Sequence, residues 1–227
     1  FAEYAQRTID SYLEDDGTIK SYKPDQFNID SINSGKMLLR LYAQHGNAKY
    51  RRAIESLTAQ LDDHPRTSEG AFWHKQRYPH QLWLDGVYMG MPFLAAVGEM
   101  EGDNEKLHEA VTEFSIARSH LRDTETGLYY HAWDEAKQQE WADADTGRSA
   151  HFWARGLGWY AMALVDILDA IPAEKTVLRE PLLGVVAELA DSLLRAQDET
   201  GTWFQVMDMP DEPGNYREAS GSAMFTY

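Results

Sequence analysis

Apolar residues recur at helical spacing along most of the chain, and the strict alternation that is typical of a β-strand is almost absent. This spacing predicts seven helices, at residues 1–13, 30–45, 48–62, 81–99, 104–121, 152–170 and 179–197. The sequence therefore predicts an all-α fold.

The predicted helices are of two kinds, which alternate along the chain. Residues 48–62 and 104–121 combine an apolar face with a charged face, as helices at a protein surface do. Residues 81–99 and 152–170 are apolar nearly all round and contain glycine, which favours burial and close packing. We expect the first kind to lie outside and the second kind inside.

A turn that contains glycine recurs after the amphipathic helices, at Gly70, Gly127 and Gly201, and aromatic and polar residues follow each glycine. Repeated helical hairpins with this order predict an α/α toroid that spans residues 1–227 as one domain. Neither the first helix nor the closing segment SGSAMFTY completes a ring, so we expect a domain that is incomplete at both ends. An open helical array, or a domain completed by another chain, is the alternative.

The composition narrows the classes of partner. The formal net charge of the 227 residues is −16, and the acidic residues are scattered, which argues against nucleic acid or an anionic membrane as partner. No apolar run approaches the roughly 20 residues of a membrane-spanning helix, and no signal-peptide pattern is visible. Cytoplasmic and periplasmic locations both stay open. The chain has no cysteine, which excludes a disulfide, a thiolate zinc site and a thiol nucleophile.

Tryptophan is confined to the part of the chain that begins at position 73, and none of the seven lies in an amphipathic helix. In a toroid these positions share one rim, where aromatic faces can stack on sugar rings. We expect six of them to line a carbohydrate cavity: Trp73, Trp83, Trp133, Trp153, Trp159 and Trp203. For any single tryptophan the alternative is a ring that only fills the core.

Asp85 lies in an otherwise apolar predicted helix, where an ionised carboxylate is costly. Desolvation would raise its pKa toward neutral pH, which suits a general acid. The alternative is a structural aspartate that bridges helices. Asp30 occupies the corresponding place at the start of the preceding buried helix. It is an N-cap, a group that tunes the proton affinity of Asp85, or a group that holds a water.

Basic residues in the predicted rim are His74, Lys75, His131 and Arg155, whereas His45, His64, His108 and His120 fall on outer helices or their ends. An arginine such as Arg155 can clamp a carboxylate with two parallel hydrogen bonds. Its alternative role is a structural ion pair with Asp30 or another acid. No spacing typical of metal ligands is present, so we expect neither a metal nor a cofactor.

These segments resemble the unsaturated rhamnogalacturonyl hydrolases of glycoside hydrolase family 105. The most specific match is the stretch from His74 to Phe93, which reads HKQRYPHQLWLDGVYMGMPF. Supporting matches cover essentially the whole chain: Asn28-Ile-Asp30, His131-Ala-Trp133-Asp134, Trp153-Ala-Arg155-Gly156 with Trp159, and Ser220-Gly221-Ser222-Ala223.

The resemblance implies an (α/α)6 barrel, of which this chain would lack the first inner helix and roughly the last third. It implies hydration of the carbon 4 to carbon 5 double bond of an unsaturated terminal uronic acid, with Asp85 as the proton donor and Asp30 assisting. It implies a set of substrate-binding residues: His74, Lys75, Gln81, Trp83, Met89, His131, Trp153, Arg155 and Trp159, with Ser220 and Ser222 holding the uronate carboxylate. One departure is Leu157, which stands where the family often has asparagine and is expected to alter the pocket rim.

The leading hypothesis is therefore a hydrolase of unsaturated uronyl disaccharides derived from pectin. The related glucuronyl hydrolases of family 88 and enzymes acting on ulvan fragments leave the choice of disaccharide open. A conventional inverting glycosidase is a second hypothesis, with Asp30 and Asp85 roughly 6.5 to 9.5 Å apart. A toroid that binds oligosaccharide without catalysis is a third. The oligomeric state is left open.

Overall fold

The structure is a computed structural model that describes residues 2–227. Eight α-helices lie in this part of the chain: α1 (Ala2–Ser11), α2 (Gly35–His45), α3 (Ala48–Asp62), α4 (Leu84–Glu101), α5 (Asn104–Leu121), α6 (Ala154–Ala170), α7 (Thr176–Ala196) and α8 (Ala219–Phe225). Two 3₁₀ helices, Pro24–Gln26 and Ile29–Ser34, precede α2. Two short strands, β1 (Gln81–Trp83) and β2 (Ala132–Asp134), complete the fold.

The helices form two layers. The inner layer runs α2, α4, α6, α8, in which α4 packs against both α2 and α6, and α6 packs against α8. The outer layer backs onto it: α3 packs on α2 and α4, α5 on α4, and α7 on α6 and α5. The predicted all-α fold and the alternation of inner and outer helices are confirmed.

Burial explains which helices lie inside. In α4, side chains on opposite faces are fully buried, Met91, Phe93 and Leu94 among them. Burying each such side chain stabilises the fold by about 1.5 to 3 kcal/mol. The crossing of α2 over α4 also needs a small residue, because a Cβ atom on Gly35 would lie 2.4 Å from Cε2 of Phe93. The apolar α4 is therefore driven into the middle of the fold, and a glycine of α2 lets the two helices pack closely.

The predicted glycine turns are confirmed, since Gly70, Gly127 and Gly201 all have positive φ angles. The structure contains a further turn of this kind after α1, at Gly17, where φ is +90° and a Leu13–Ile19 bridge closes the turn. The sequence pattern missed this copy because no aromatic residue follows its glycine directly.

The start of the predicted helix at residue 81 is wrong. Residues 81–83 form β1, which pairs antiparallel with β2, and α4 begins at Leu84. Neighbouring glycine-turn segments lie side by side at one end of the inner helices, so their backbone groups pair there instead of joining the helix. The amide of Leu84 donates to the carbonyl of His131 at 3.0 Å, which fixes the first turn of α4 beside the segment that enters β2.

The predicted start of the helix at residue 152 is wrong in the same way. Trp153 forms a bridge with Val206, and α6 begins at Ala154, whose amide donates to the carbonyl of Gln205 at 2.9 Å. The N-termini of α4 and α6 are therefore both held in register by turn segments that follow them in the chain.

Candidate active site

Polar side chains converge where the inner helices begin. Asp85 is the second residue of α4, Arg155 is the second residue of α6, and Asp30 lies in the 3₁₀ helix that leads into α2. Because α2, α4 and α6 are neighbours in the inner layer, their N-terminal ends share one rim. The structure thus brings together three residues that are far apart in sequence.

Asp85 is the least solvated acid of this group, with 18% of its side chain exposed. Its Oδ2 lies 3.3 Å from Nδ1 of His131, and neither atom has an aligned hydrogen-bond partner among the described residues. Burial raises the pKa of Asp85 to about 6. The negative charge of Asp30 acts in the same direction, whereas a backbone hydrogen bond and the charges of Arg155 and Lys75 act against it.

The histidine beside Asp85 is neutral at pH 7, because burial lowers the pKa of His131 to about 4. Burial likewise lowers the pKa of His74 to about 4. Asp85 therefore faces an uncharged imidazole rather than a cation, and its proton affinity stays high. A carboxyl group in this state can both give and take a proton near neutral pH.

Asp30 has different surroundings. One of its oxygens, Oδ2, lies 2.7 Å from Nζ of Lys75, and the other lies 3.5 Å from Nε2 of His74. Asp30 is not the N-cap of its helix: that cap is Asn28, whose side-chain oxygen accepts the amide of Asp30 at 3.1 Å. The Asp30 side chain is 38% exposed, so the Lys75 ion pair lies at the solvent edge of the site.

Aromatic rings form one wall of the site. Trp83 stacks on His74 at 4.3 Å and on Tyr78 at 5.1 Å between ring centroids, and its ring lies 5.4 Å from that of His131. Trp153 meets the same His131 edge-on at 4.9 Å. Both indoles are only partly buried, so each keeps surface that a sugar ring can contact. Tyr78 lies in the stretch from His74 to Phe93, but its place in this stack was not predicted from the sequence.

Of three further predicted residues, Gln81 contacts this wall, whereas Trp159 and Met89 lie elsewhere on the inner helices. Gln81 is buried, and its Oε1 accepts the indole N–H of Trp83 at 3.1 Å, so it orients that ring rather than facing solvent. Trp159 packs on Tyr88 at 4.8 Å and, like Met89, is partly buried.

Two glycines allow the histidine rings to approach the helices. A Cβ atom at Gly86 would lie 3.1 Å from Nδ1 of His74, and one at Gly156 would lie 2.7 Å from Nδ1 of His131. Real Cβ contacts are rarely this close. The positions of both rings therefore depend on glycine in the first turn of α4 and of α6.

Arg155 extends over the ring of Trp153, with its Cζ 4.5 Å from the ring centroid. Its Nη1 lies 3.3 Å from Oε1 of Glu218, the N-cap residue of α8. Arg155 does have an acidic partner, as one of the two interpretations held, but that partner is Glu218 and not Asp30. Glu218 was not predicted as a site residue, because only the fold brings it and Arg155 together over 63 positions of sequence.

Two of the six tryptophans expected in the cavity lie in the core instead. Trp133 is 5% exposed and stacks on His120, with 3.6 Å between ring centroids. Trp203 is also 5% exposed, and its indole N–H donates to the carbonyl of Leu193 at 2.9 Å. Their surfaces are already covered by protein, so the prediction that they line the cavity is corrected. Trp73 is partly buried against His80 at 4.6 Å.

Ser220 and Ser222 both donate hydrogen bonds to Glu218, the N-cap residue of α8. The hydroxyl of Ser220 donates to Oε1 of Glu218 at 2.6 Å, and that of Ser222 donates to the Glu218 carbonyl at 2.7 Å. Leu157 is fully buried in α6, so it packs in the core and does not shape the rim, contrary to expectation.

Among residues 2–227, His, Asp and Glu side chains nowhere gather in a group of three that could hold a metal ion. In the same part of the chain, no helix has the length and apolarity needed to cross a membrane.

A carboxyl group with a raised pKa, set among aromatic rings at the rim of an α/α toroid, defines the class: a glycoside hydrolase built on helical hairpins. The chain belongs to Glycosyl Hydrolase Family 88, whose sequence pattern matches all of residues 1–227.

Known relatives agree with this assignment. A solved structure of a family 105 glycoside hydrolase from C. acetobutylicum superposes on 99% of this chain with a TM-score of 0.96 and 42% identity. Unsaturated rhamnogalacturonyl hydrolase YesR of Bacillus subtilis is 29% identical over 202 residues, which are 86% of this chain. Unsaturated 3S-rhamnoglycuronyl hydrolase of Alteromonas sp. is 26% identical over 147 residues, or 64% of this chain. The expected (α/α)6 toroid class is confirmed by the structural neighbours.

The chain is shorter than these relatives. The matched parts amount to 62% of the C. acetobutylicum chain, 56% of the Bacillus subtilis protein and 33% of the Alteromonas protein.

Proposed function

We propose that the protein removes a 4,5-unsaturated uronic acid from the non-reducing end of a short oligosaccharide by hydrating its double bond. The observation that carries this proposal is the state of Asp85: a desolvated carboxyl with a pKa of about 6, whose Oδ2 has no hydrogen-bond partner among the described residues. Hydration of an enol ether needs one group that gives a proton and then takes one back, and such a group works best with a pKa near the working pH.

In the proposed reaction, protonated Asp85 transfers its proton to carbon 4 of the unsaturated ring, which leaves positive charge at carbon 5 and the ring oxygen. Water then adds to carbon 5 and gives a proton to the Asp85 carboxylate, which restores the acid. The product is a hemiketal. It rearranges, the ring opens, and the neighbouring sugar is released. The same carboxyl group gives one proton and takes one back, so no second acid or base is needed.

The surroundings of Asp30 favour this route over conventional inversion. An inverting enzyme needs a second carboxylate that activates water. Asp30 instead lies in contact with Lys75 and near His74, and its charge raises the pKa of Asp85. We propose that Asp30 assists by tuning Asp85, while Arg155 binds the uronate carboxylate and Trp83 and Trp153 bind the sugar rings.

The proposed substrate is an unsaturated rhamnogalacturonan disaccharide. The name of the Bacillus subtilis relative, a rhamnogalacturonyl hydrolase, supports this choice because its match covers 86% of the chain. The Alteromonas relative is named for a 3S-rhamnoglycuronyl substrate and matches a smaller part. A disaccharide from ulvan is therefore the comparison substrate.

The test is an ultraviolet assay of the protein carrying this chain on both disaccharides, with Asp85→Asn beside it. Hydration consumes the conjugated chromophore, so absorbance falls with turnover, whereas simple glycosidic cleavage leaves it intact. We expect Asp85→Asn to abolish turnover while binding survives, because the amide keeps the shape and loses the proton. Sugar release at constant absorbance would contradict the proposal, as would full activity of Asp85→Asn.

A further inference from the structure

Glu218 is a buried acid in contact with the proposed uronate-binding arginine. Its side chain is 8% exposed and accepts hydrogen bonds from three donors: the Ser220 hydroxyl at 2.6 Å, the amide of Gly221, and Nη1 of Arg155 at 3.3 Å. Burial acts to raise the pKa of Glu218, but the hydrogen bonds from Ser220 and Gly221 and the Arg155 charge outweigh it and hold that pKa below its ordinary value. Glu218 is therefore an ionised group in a fixed position.

We propose that Glu218 is a positioning residue that anchors the Arg155 guanidinium against Trp153, so that its free edge faces the carboxylate of the substrate. This proposal rests on the proposed function and adds a residue to it. Glu218 does not touch the substrate and acts only through Arg155.

The geometry of Arg155 leaves it free to bind a second carboxylate. Only Nη1 is hydrogen bonded among the described residues, which leaves the N–H groups of Nε and Nη2 available. The Arg155 side chain is 36% exposed, whereas the Glu218 side chain is 8% exposed. A guanidinium held on one edge by a buried acid and open on the other is suited to a bidentate carboxylate ligand.

The position of Glu218 is set by close packing of two inner helices. A Cβ atom on Gly221 would lie 2.9 Å from Oε2 of Glu218 and 3.0 Å from the backbone carbon of Ala154. The first turn of α8 therefore sits directly on the first turn of α6, which carries Arg155. Seating α8 in this way brings the Glu218 carboxylate to the guanidinium.

We expect the charge of Glu218 to affect the pKa of Asp85 as well, through Arg155. The positive charge of Arg155 lowers the pKa of Asp85, as does that of Lys75, whereas Asp30 raises it, and His131, the remaining close neighbour, is neutral. The negative charge of Glu218 offsets that of Arg155. Without it, Arg155 would pull the pKa of Asp85 further down.

A purely structural role would be to cap α8. The two roles are separated by Glu218→Gln, which keeps the shape and an acceptor oxygen but removes the charge. Asp198→Asn is the matched control: Asp198 accepts backbone amides of Thr200 and Thr202 in the preceding turn and pairs with Arg217, so it is also a capping acid in an ion pair.

The measurements are KM, kcat and the pH profile of kcat/KM on the unsaturated disaccharide. We expect Glu218→Gln to raise KM about tenfold or more with a smaller change in kcat, consistent with a loss of substrate binding. We also expect the decline of kcat/KM at high pH to move to lower pH. Asp198→Asn should change the melting temperature without either effect. Equal KM and pH profiles in the two variants would overturn the proposal.

A crystal structure of Glu218→Gln keeps this test separate from the proposed function. If the wild type fails to turn over the disaccharide but Arg155 leaves the face of Trp153 in the variant, the proposed function fails and the anchoring role stands. If Arg155 stays in place in the variant, the anchoring role is overturned whatever the activity.

Discussion

Nδ1 of His131 lies 3.3 Å from Oδ2 of Asp85, and the two-stranded β1–β2 sheet is what sets this distance. In that sheet Trp83 pairs with Ala132, so the residues that follow β1 and precede β2 lie side by side. The Leu84 amide then bonds to the His131 carbonyl and locks the start of α4 against it. A strand pair of three residues each therefore positions Asp85 against a neutral ring.

The first prediction concerns the pH dependence of turnover. The first proposed step consumes the protonated form of Asp85, whose pKa burial raises to about 6. The protonated fraction falls roughly tenfold for each pH unit above that value, so kcat/KM should do the same. A stopped or continuous ultraviolet assay between pH 5 and about 8.5 measures this profile. A rate that stays level up to pH 8 would contradict the role of Asp85 as the acid.

The second prediction concerns stability at the same residue. The pKa of Asp85 is about 6 in the folded chain against an ordinary 3.8, so the folded chain binds more protons between these values and stability falls as pH rises through them. The full cost, roughly 3 kcal/mol at most, is present above pH 6 and absent below about pH 4. Asp85→Asn has no charge to desolvate. It should therefore unfold at higher denaturant concentration than the wild type at pH 7, and at a similar concentration at pH 4.

Asp85 shows what the sequence could and could not predict. An aspartate within an apolar helix predicts a desolvated carboxyl from the local sequence alone, and the structure agrees with that expectation.

The contact between Arg155 and Glu218 could not be predicted in this way. The two residues are too far apart in the chain for any local pattern to reveal it.

Trp83 and Trp133 lie in β1 and β2, two strands that the sequence did not predict. Successive side chains in a strand point to opposite faces. Trp133 lies opposite Leu82 in the sheet, so it shares the core face with that buried residue, whereas Trp83 points to the other face and reaches the site. A helix that starts at residue 81 does not place successive side chains on opposite faces. The predicted helix therefore could not show that Trp133 lies in the core while Trp83 reaches the site.

The third prediction tests the close approach of His131 to α6. A methyl group at Gly156 would lie 2.7 Å from Nδ1 of His131 and 2.9 Å from Cε3 of Trp153, so Gly156→Ala should displace both rings. Displacements of about 1 Å in an active site can cost on the order of 100-fold in rate, and we expect a loss of kcat/KM of that order.

The matched control for that change is Gly184→Ala in the outer helix α7. A Cβ atom there meets nothing within 4 Å. Replacing a helical glycine by alanine should then stabilise the fold by up to about 1 kcal/mol and leave kcat/KM unchanged. Equal activity of both variants would show that the position of His131 does not matter.

The last prediction concerns Glu113 on α5, a fully buried acid that the proposed reaction does not use. Its Oε2 accepts the amide of Phe72 at 3.2 Å, and burial raises its pKa to about 8 despite that bond and the charge of Arg66. The ordinary value is 4.5, so stability should fall as pH rises from about 4.5 to about 8. Glu113→Gln keeps an acceptor for Phe72 and removes the ionisation. Denaturant unfolding should show the variant more stable than the wild type at pH 8 and alike near pH 4, with kcat unchanged. A wild type that is the more stable of the two at pH 8 would mean that Glu113 is ionised and paired with Arg66.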